Sequence, residues 1–324
     1  MNPDRPLDLL ALGDPCVDLV FRAERLPAWD DKARGTLLGL YGGGTEANAA
    51  CTAARLGWRC ALFGRTGGDL HAEFIRHELA LHGVDLGHLR RSERGSSSVA
   101  LVAVSPEGER SLVWLPPSDG ATDAPFTRQP ADRGDERRAA LARSRWAYTM
   151  PYDPNALATL ARETLAAGTR LAIDIEREGA AATPGGLAAL LQHADLAFMN
   201  RGGFETATGG APTPAALQAL CHGGRARTVV VTLGAGGALA ADRDEGVAEA
   251  AAVATAVLDT TGAGDTFNAS FLVARDRGAP LALALQQACR AAARTVAAVG
   301  ARGALACFHA ADAGPPAPFG ARSC

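Results

Sequence analysis

The chain has 324 residues, of which 48% are hydrophobic, which is enough for a large core in one α/β domain or in two unequal ones. A net charge of −3 and a pI near 6.2 provide no basic field for nucleic acid or an anionic membrane, so small molecules are the expected partners. The seven cysteines are odd in number and contain no CxxC pair, which favours a reduced, cytoplasmic protein. The first apolar run is too short for a signal or membrane segment, so we expect a soluble protein.

The first part of the chain has a βαβ-like pattern. Residues 7–12 are predicted to form a buried strand, and a more polar stretch follows over residues 21–40. Glycines 42–44 close that stretch, and residues 47–54 carry small apolar side chains at helical spacing. Residues 60–63 are predicted to form a second short strand.

Residues 99–104 and 110–115 are predicted to pair as a hairpin. The segment between them has a proline and a glycine at the positions that suit a type I turn. The polar, proline-bearing stretch at 121–138 is interpreted as a surface connection within one domain. Proline and glycine dominate residues 314–320, so we expect a flexible tail over residues 314–324.

The second half of the chain alternates between strand and helix signals. Predicted strands at 171–175, 196–199 and 228–233 are separated by alanine-rich helical stretches. This alternation is typical of a mostly parallel sheet that helices cover on both faces. Helices at 264–275 and 281–299 are predicted to complete the core.

A glycine-flanked turn before the helix at 264–275 is the most specific feature of the sequence. It reads Asp259-Thr260-Thr261-Gly262-Ala263-Gly264-Asp265-Thr266-Phe267-Asn268. The backbone N–H groups of Gly262, Ala263 and Gly264 have no helical partners and lie at the positive end of the helix dipole, so they can bind an anion. Asp265 would repel a phosphate, but it suits a base for an incoming hydroxyl group, which indicates phosphoryl transfer. Plain helix capping by Asp259 or Asp265 is the alternative.

Polar groups in the first fifty residues suit a polyhydroxylated ligand. Gly43 and Gly44 precede a helix and allow close approach of a ligand to the backbone, and Asn48 offers both a donor and an acceptor. Asp18 follows the first strand and can accept hydrogen bonds from sugar hydroxyl groups. The alternatives are a tight turn with a solvent-facing asparagine and an ordinary surface or capping aspartate.

A glycine-rich turn at residues 232–237 lies at the carboxyl end of a predicted strand, where open α/β sheets place ligands. A nucleotide can bind there, although a structural β-turn explains the same residues. The turn does not match GxGxxG and no clear helix opens from it, so a nucleotide-dependent dehydrogenase is a weaker alternative. The sequence contains no GxxxxGK[ST] motif, which excludes a P-loop kinase.

Taken in this order, the motifs resemble the ribokinase-like family of carbohydrate kinases, also called the phosphofructokinase B family, over nearly the whole chain. The amino-terminal signature is similar at residues 43–48, 56–57, 64 and 67–69, and the carboxyl-terminal signature at residues 259–267. The resemblance implies one domain over residues 1–324, an αβα sandwich with a mostly parallel sheet. It also implies a small β-sheet lid, from residues 16–40 and 97–115, that closes and excludes water.

The resemblance implies an ATP-dependent kinase with Asp265 as the base and the backbone of Gly262, Ala263 and Gly264 as the anion hole. It assigns further positions by type of ligand. They are Asp18, Asp30, Gly43, Gly44 and Asn48 for the sugar, Asn200, Thr232, Gly234, Gly237 and Asn268 for ATP, and Asp259 and Thr261 for a monovalent cation such as potassium.

One position departs from the family pattern. Many members have Asn-x-x-Glu after the strand at 196–199, tied to magnesium and phosphate, whereas this chain reads Asn200-Arg201-Gly202-Gly203. Magnesium is still expected as the counterion of ATP, and Glu205 is a candidate to compensate through water. The missing glutamate also leaves open a sugar-binding regulatory protein with impaired catalysis.

The sequence motifs indicate the type of reaction more clearly than they indicate the substrate. Residues 26–30, 174–177 and 265–270 look most like the ketohexokinase or fructokinase branch, which implies a ketose such as fructose. Nucleoside and ketodeoxygluconate kinases of the same family are the alternatives. The resemblance also implies a homodimer through the lid, and we expect the strand at 99–104 to be the exposed edge that pairs.

Overall fold

The computed structural model describes residues 6–105, 110–118, 133–151, 153–182, 186–309 and 312. The strands are β1 (Leu7–Leu12), β2 (Cys16–Ala23), β3 (Gly35–Gly43), β4 (Cys60–Thr66), β5 (Val84–Asp85), β6 (Leu89–Arg91), β7 (Ser98–Val104), β8 (Arg110–Leu115), β9 (Ser144–Thr149), β10 (Arg170–Ile175), β11 (Leu196–Asn200), β12 (Thr228–Thr232), β13 (Ala238–Asp242) and β14 (Gly246–Ala250). The helices are α1 (Thr45–Arg55), α2 (Leu70–Leu81), α3 (Gly134–Ala142), α4 (Pro154–Ala167), α5 (Arg177–Ala182), α6 (Gly186–Leu191), α7 (Arg201–Thr208), α8 (Pro214–Gly223), α9 (Ala263–Asp276) and α10 (Leu281–Val296).

A ten-stranded sheet forms the centre of the molecule. Its strand order is β14-β13-β12-β11-β10-β9-β1-β4-β5, and β6 also pairs with β4. Neighbouring strands from β12 to β5 run parallel, whereas β13 and β14 are antiparallel additions at one edge. The predicted mostly parallel sheet is confirmed, although β5, β6, β9, β13 and β14 were not predicted.

Alternate side chains of the central strands enter hydrophobic clusters on opposite faces of this sheet. In β1, Leu9 and Ala11 pack into a cluster with α1, α9 and α10, whereas Leu10 and Leu12 pack into a cluster with α4, α7 and α8. Because both faces of β1 are buried, residues 9–12 form a continuous apolar run after Asp8, whose carboxylate pairs with Arg59 and Arg145. That run is why the strand could be predicted.

A separate small sheet has the strand order β3-β2-β7-β8. Its strands come from residues 16–43 and 98–115, and the predicted hairpin is present as β7 and β8. The prediction that residues 99–104 form an exposed edge is wrong, because β7 pairs with β2 on one side and β8 on the other. The edges are β3 and β8, and the homodimer stays a prediction.

The helices predicted around the motifs are confirmed as α1, α9 and α10. Helix α10 ends at Val296, before the predicted end at 299, and Gly300 beyond it donates its N–H to Asp259 Oδ2 at 2.8 Å. The predicted connection at 121–138 overlaps α3, which begins at Gly134; residues 119–132, the turn residues 106–109 and the tail at 314–324 lie outside the described residues. Among the described helices, none is long and apolar enough to cross a bilayer.

Candidate active site

A cavity of about 1740 Å³ opens where the parallel strands of the large sheet end. Gly13 follows β1, Glu176 follows β10 and Leu233 follows β12, and all of them line the cavity. The small sheet contributes Ala100 and Trp114 to its wall. Ligands of open parallel sheets bind at this carboxyl edge.

Most of the predicted site residues line this cavity. They are Asp18, Gly44, Asn48, Asn200, Thr232, Gly234, Thr261, Gly262, Gly264, Asp265 and Asn268. We use "base end" for the part around Asp18, Asn48 and Asp265, and "turn end" for the part around Asn200, Thr232 and Gly234. The sequence alone could not show that these distant segments share one cavity.

The other predicted residues do not line the cavity. Gly43, Asp259 and Ala263 lie next to lining residues in the chain. Gly237 has a positive φ of 88°, and a Cβ there would overlap the backbone of Ala250 and its neighbours, so packing alone requires its glycine. Asp30 is exposed on the loop between β2 and β3, and its contact with a sugar stays a prediction.

The predicted anion-binding turn lies at the start of α9, and anion binding there stays a prediction. Gly262 caps the helix with φ 73°, and a Cβ there would lie 2.5 Å from the Cβ of Ala301, so both backbone angle and packing require glycine. The first helical hydrogen bond runs from Thr266 N to Gly262 O at 2.9 Å, and Ala263 N has only a long bond of 3.4 Å to Thr260 O. A Cβ on Gly264 would meet nothing within 4 Å, so a ligand can approach this turn.

Asp265 lies in the first turn of α9 and accepts a hydrogen bond from Asn48 Nδ2 at 2.8 Å on Oδ2. Burial, helped by the nearby carboxylates of Glu176 and Asp18, raises the pKa of Asp265 to about 7, although Asn48 and Arg302 act to lower it. A general base is most effective when its pKa lies near the working pH. The raised pKa suits the predicted role of Asp265 as a base, which stays a prediction.

The amide oxygen of Asn48 is hydrogen-bonded to Arg302, a residue that the sequence motifs did not indicate. Arg302 is 6% exposed, and its Nε donates to Asn48 Oδ1 at 3.0 Å. Its Nη2 donates to the carbonyl oxygen of Gly43 at 2.9 Å. Arg302 and Asn48 are 254 positions apart in the chain, so neither spacing nor periodicity could connect them.

Asp18 is buried beside the glycine run and accepts a hydrogen bond from Cys16 Sγ at 3.0 Å. A Cβ on Gly43 would overlap the Asp18 carboxylate, and a Cβ on Gly42 would overlap Arg302 Nη1. These two glycines therefore make room for neighbouring side chains. Gly44, with φ 94°, is the glycine of this run that faces the cavity.

Asn268 lines the cavity, but its side chain is buried and its amide is hydrogen-bonded within a polar network. Its Nδ2 donates to Asp174 Oδ2 at 2.9 Å and to the Tyr148 hydroxyl at 3.1 Å. Tyr148 in turn donates to Asp174 Oδ2 at 3.3 Å. Burial, with Glu176 and Asp265 nearby, raises the pKa of Asp174 well above its usual range. The predicted contact of Asn268 with ATP stays a prediction.

Glu46 and Asp14 are among the cavity carboxylates that were not assigned from the sequence. Glu46 Oε1 accepts from Met150 N at 2.9 Å, and burial raises the pKa of Glu46 to about 7. Asp14 Oδ1 accepts from Arg65 N at 2.9 Å, which ties the end of β1 to β4. Glu46 lies inside the motif that contains Asn48, but its burial against Gly13 depends on tertiary packing.

The turn end is built mainly from backbone. Gly234–Gly236 forms a single 3₁₀ turn, and a Cβ on Gly234 would meet nothing within 4 Å. Asn200 caps α7, since its Oδ1 accepts from Gly203 N at 2.7 Å. Arg177 and Arg201 lie exposed on the cavity wall near this turn.

The structure explains why Gly203 carries no carboxylate. Gly203 is buried, and a Cβ there would lie 2.7 Å from the carbonyl oxygen of Ile175. The side chain of Glu176, the next residue along, lines the cavity. Glu205 is exposed and is not among the lining residues, so Glu176 is better placed than Glu205 to supply the missing carboxylate.

Asp259 joins two loops at the base of α9. Its Oδ1 accepts from Thr261 N at 2.7 Å and its Oδ2 accepts from Gly300 N at 2.8 Å. Across the described part of the chain, no three His, Cys, Asp or Glu side chains come together as a metal cluster. The monovalent cation at Asp259 and Thr261 stays a prediction.

The profile of pfkB family carbohydrate kinases matches residues 7–306. The chain belongs to this family. It is therefore a phosphotransferase that acts on a sugar hydroxyl group, and the family predicted from the motifs is confirmed.

Similar proteins of this family include kinases for different sugars. A fructokinase of Klebsiella pneumoniae is 31% identical to this kinase over 311 residues, which cover 88% of this chain and 92% of that protein. A ribokinase of Arabidopsis thaliana is 27% identical over 291 residues, which cover 86% of this chain and 74% of that protein.

Solved structures show the same fold. The Arabidopsis thaliana ribokinase complexed with ribose and ATP superposes with a TM-score of 0.76 at 23% identity, over 95% of this chain and 97% of that one. A ribokinase from Thermotoga maritima superposes with a TM-score of 0.75 at 20% identity, over 93% and 99% of the two chains. The ribokinase-like α/β fold with a separate small sheet is thereby confirmed.

Proposed function

We propose that this kinase transfers the γ-phosphoryl group of ATP to a hydroxyl group of a ketose such as fructose. The observation that carries the proposal is the position of Asp265, in the first turn of α9 and hydrogen-bonded to Asn48. One cavity thus contains a base, an anion-binding helix start and a polar base end that suits a sugar. The Arabidopsis ribokinase complex, with ribose and ATP, is consistent with two substrates in such a cavity.

The proposed reaction needs one proton transfer and one phosphoryl transfer. Asp265 takes the proton of the sugar hydroxyl, and the hydroxyl oxygen forms a bond to the γ-phosphorus. The bond from that phosphorus to the bridging oxygen breaks, and ADP leaves with the electron pair. The backbone N–H groups of Gly262 and Gly264 donate to the transferring group, and one well-placed donor of this kind is worth about 3 kcal/mol.

The ketose assignment rests on similarity to fructokinase and on the motifs at 26–30, 174–177 and 265–270. Ribose is the second candidate, because a ribokinase is similar over 86% of this chain. Asp18 and Asn48 offer acceptor and amide groups to the hydroxyl groups of either sugar. The wall residues Ala100 and Trp114 place the small sheet over this end, which supports its role as a lid.

Magnesium is proposed as the counterion of ATP, since it prefers oxygen ligands and phosphate. When bound, it neutralises charge on the phosphates. Glu176 supplies a carboxylate on the cavity wall, so the residues present fit a magnesium ion held mainly by ATP and water. Potassium is proposed for the loop of Asp259 and Thr261, and comparison of turnover in potassium chloride and tetramethylammonium chloride tests it.

A substrate panel tests the proposed function. The purified kinase is incubated with ATP, magnesium and D-fructose, D-ribose, adenosine or 2-keto-3-deoxygluconate, and ADP release is followed. We expect fructose to have the highest kcat/KM, with NMR identifying the phosphorylated carbon. If none of these compounds raises ADP release above the rate with water, the proposal is overturned. Tight sugar binding without ADP release would favour the alternative of a sugar-binding regulatory protein with impaired catalysis.

A further inference from the structure

We infer that Arg302 is a positioning residue for catalysis: it fixes Asn48 in the one orientation in which Asn48 donates to the base Asp265. This inference rests on the proposed function, because it concerns the residue assigned there as the base. Arg302 does not line the cavity, so it acts through Asn48 and not on a ligand.

Two hydrogen bonds connect the side chains of Arg302, Asn48 and Asp265 in series. Arg302 Nε donates to Asn48 Oδ1 at 3.0 Å, and Asn48 Nδ2 donates to Asp265 Oδ2 at 2.8 Å. Both distances are ordinary for charge-assisted hydrogen bonds. The side chain of Asn48 thus lies between a buried cation and the carboxylate.

Donor and acceptor chemistry determines which way the Asn48 amide faces. A guanidinium group has only donors and a carboxylate has only acceptors. A flipped amide would place its NH₂ against Arg302 and its oxygen against Asp265, so two hydrogen bonds would become two repulsive contacts. Arg302 therefore excludes the flipped amide, and Asp265 keeps its donor.

The surroundings of Arg302 hold the guanidinium group in place. Nη2 donates to the carbonyl oxygen of Gly43 at 2.9 Å, and Gly42 lacks the Cβ that would overlap Nη1. The preceding residue, Ala301, packs against Gly262 at the start of α9. Arg302 thereby links the glycine run before α1 to the helix that carries the base.

The test compares Arg302→Met and Arg302→Lys with Arg294→Met, a control that removes an exposed arginine paired with Asp312. We expect kcat with the preferred sugar to fall between about tenfold and a hundredfold in Arg302→Met, with KM for ATP unchanged. Arg302→Lys, which can still donate to Asn48, should keep an intermediate kcat. Arg294→Met should match the unmodified kinase.

A double-mutant cycle separates positioning from general stabilisation. If Arg302 acts through Asn48, adding Arg302→Met to Asn48→Ala should reduce kcat by less than about threefold beyond Asn48→Ala alone. An equal fall of kcat in both backgrounds would overturn the inference, as would an unchanged kcat in folded Arg302→Met. If Arg302→Met does not fold, the cycle is run with Arg302→Lys under the same criteria. Absence of ADP release by the unmodified kinase would instead count against the proposed function.

Discussion

The base end and the turn end of the cavity are built in different ways. At the base end, Asp265, Asn48 and Asp18 are side chains, each held by another side chain. At the turn end, Gly234 presents open backbone, and the Asn200 side chain caps its own helix. A group that moves a proton must be held to within a fraction of an ångström, whereas backbone can hold a phosphate chain. We therefore expect small substitutions to be more costly at the base end.

The largest expected effect comes from Asp265→Asn. This change keeps the shape and the contact with Asn48 but removes the proton acceptor, so kcat should fall by at least about a hundredfold. Binding of ATP, measured by calorimetry, should be retained because the turn end is untouched. Turnover equal to that of the unmodified kinase would show that Asp265 is not the base. It would also remove the reason to expect greater sensitivity to substitution at the base end than at the turn end.

A matched pair of glycine substitutions compares the ends directly. In Gly43→Ala the new Cβ displaces the Asp18 carboxylate, so KM for the sugar should rise by about thirtyfold, as for the loss of a hydrogen bond to a charged group. In Gly234→Ala the new Cβ meets nothing within 4 Å, and only the positive φ of 60° is unfavourable. KM for ATP should then rise by less than about threefold. Equal changes in the two variants would contradict the comparison.

A second pair concerns the carboxylate missing from Gly203. We expect Glu176→Gln to raise the magnesium concentration that half-saturates ATP binding by about tenfold, because Glu176 lines the cavity beside Gly203. Glu205→Gln removes an exposed carboxylate outside the cavity lining and serves as the control. Calorimetric titration of ATP at several magnesium concentrations measures both. If Glu205→Gln instead raises the half-saturating magnesium concentration more than Glu176→Gln does, Glu205 and not Glu176 compensates for the missing glutamate.

The last prediction concerns pH, and its effect on stability is the smallest expected. Burial raises the pKa of Asp265 to about 7, so kcat should fall about tenfold per pH unit well below that value as the base becomes protonated. The raised pKa also means that the folded state holds this proton more tightly than the unfolded state. The stabilisation is complete only below the unfolded pKa of about 3.8, and it is lost progressively as pH rises from there through about 7. Asp265→Asn should therefore raise Tm by at least about 2 °C at pH 8.5 and less at pH 5.5.

Much of the fold could be predicted because its signals are local. The apolar run at residues 9–12 predicts a buried strand, and the contiguous motif at 259–268 predicts a helix start whose open backbone suits an anion, each without help from distant residues. Strand β13 was missed because its sequence, Ala238-Leu239-Ala240-Ala241-Asp242, has the composition of a helix. Its pairing with β12 and β14 overrides that preference.

The candidate site was predicted in part for the same reason. Asp265 and Asn48 lie in motifs, and the structure brings both to one cavity. Arg302 carries no motif, since its role depends on a contact with a residue 254 positions away. Glu46 lies in the same motif as Asn48, but its raised pKa comes mainly from burial, with Asp265 and Glu176 nearby, and only the folded chain creates those surroundings. Such properties arise from packing and have no periodic signature.

Gly203 has a consequence for how this kinase can change by mutation. Its backbone lies against the carbonyl oxygen of Ile175, so any side chain there requires the junction of β10 and α5 to move. A single codon change to glutamate would therefore damage the structure before it could add a metal-handling group. Protein engineers who wish to install the common family motif must redesign residues 175–177 together with position 203.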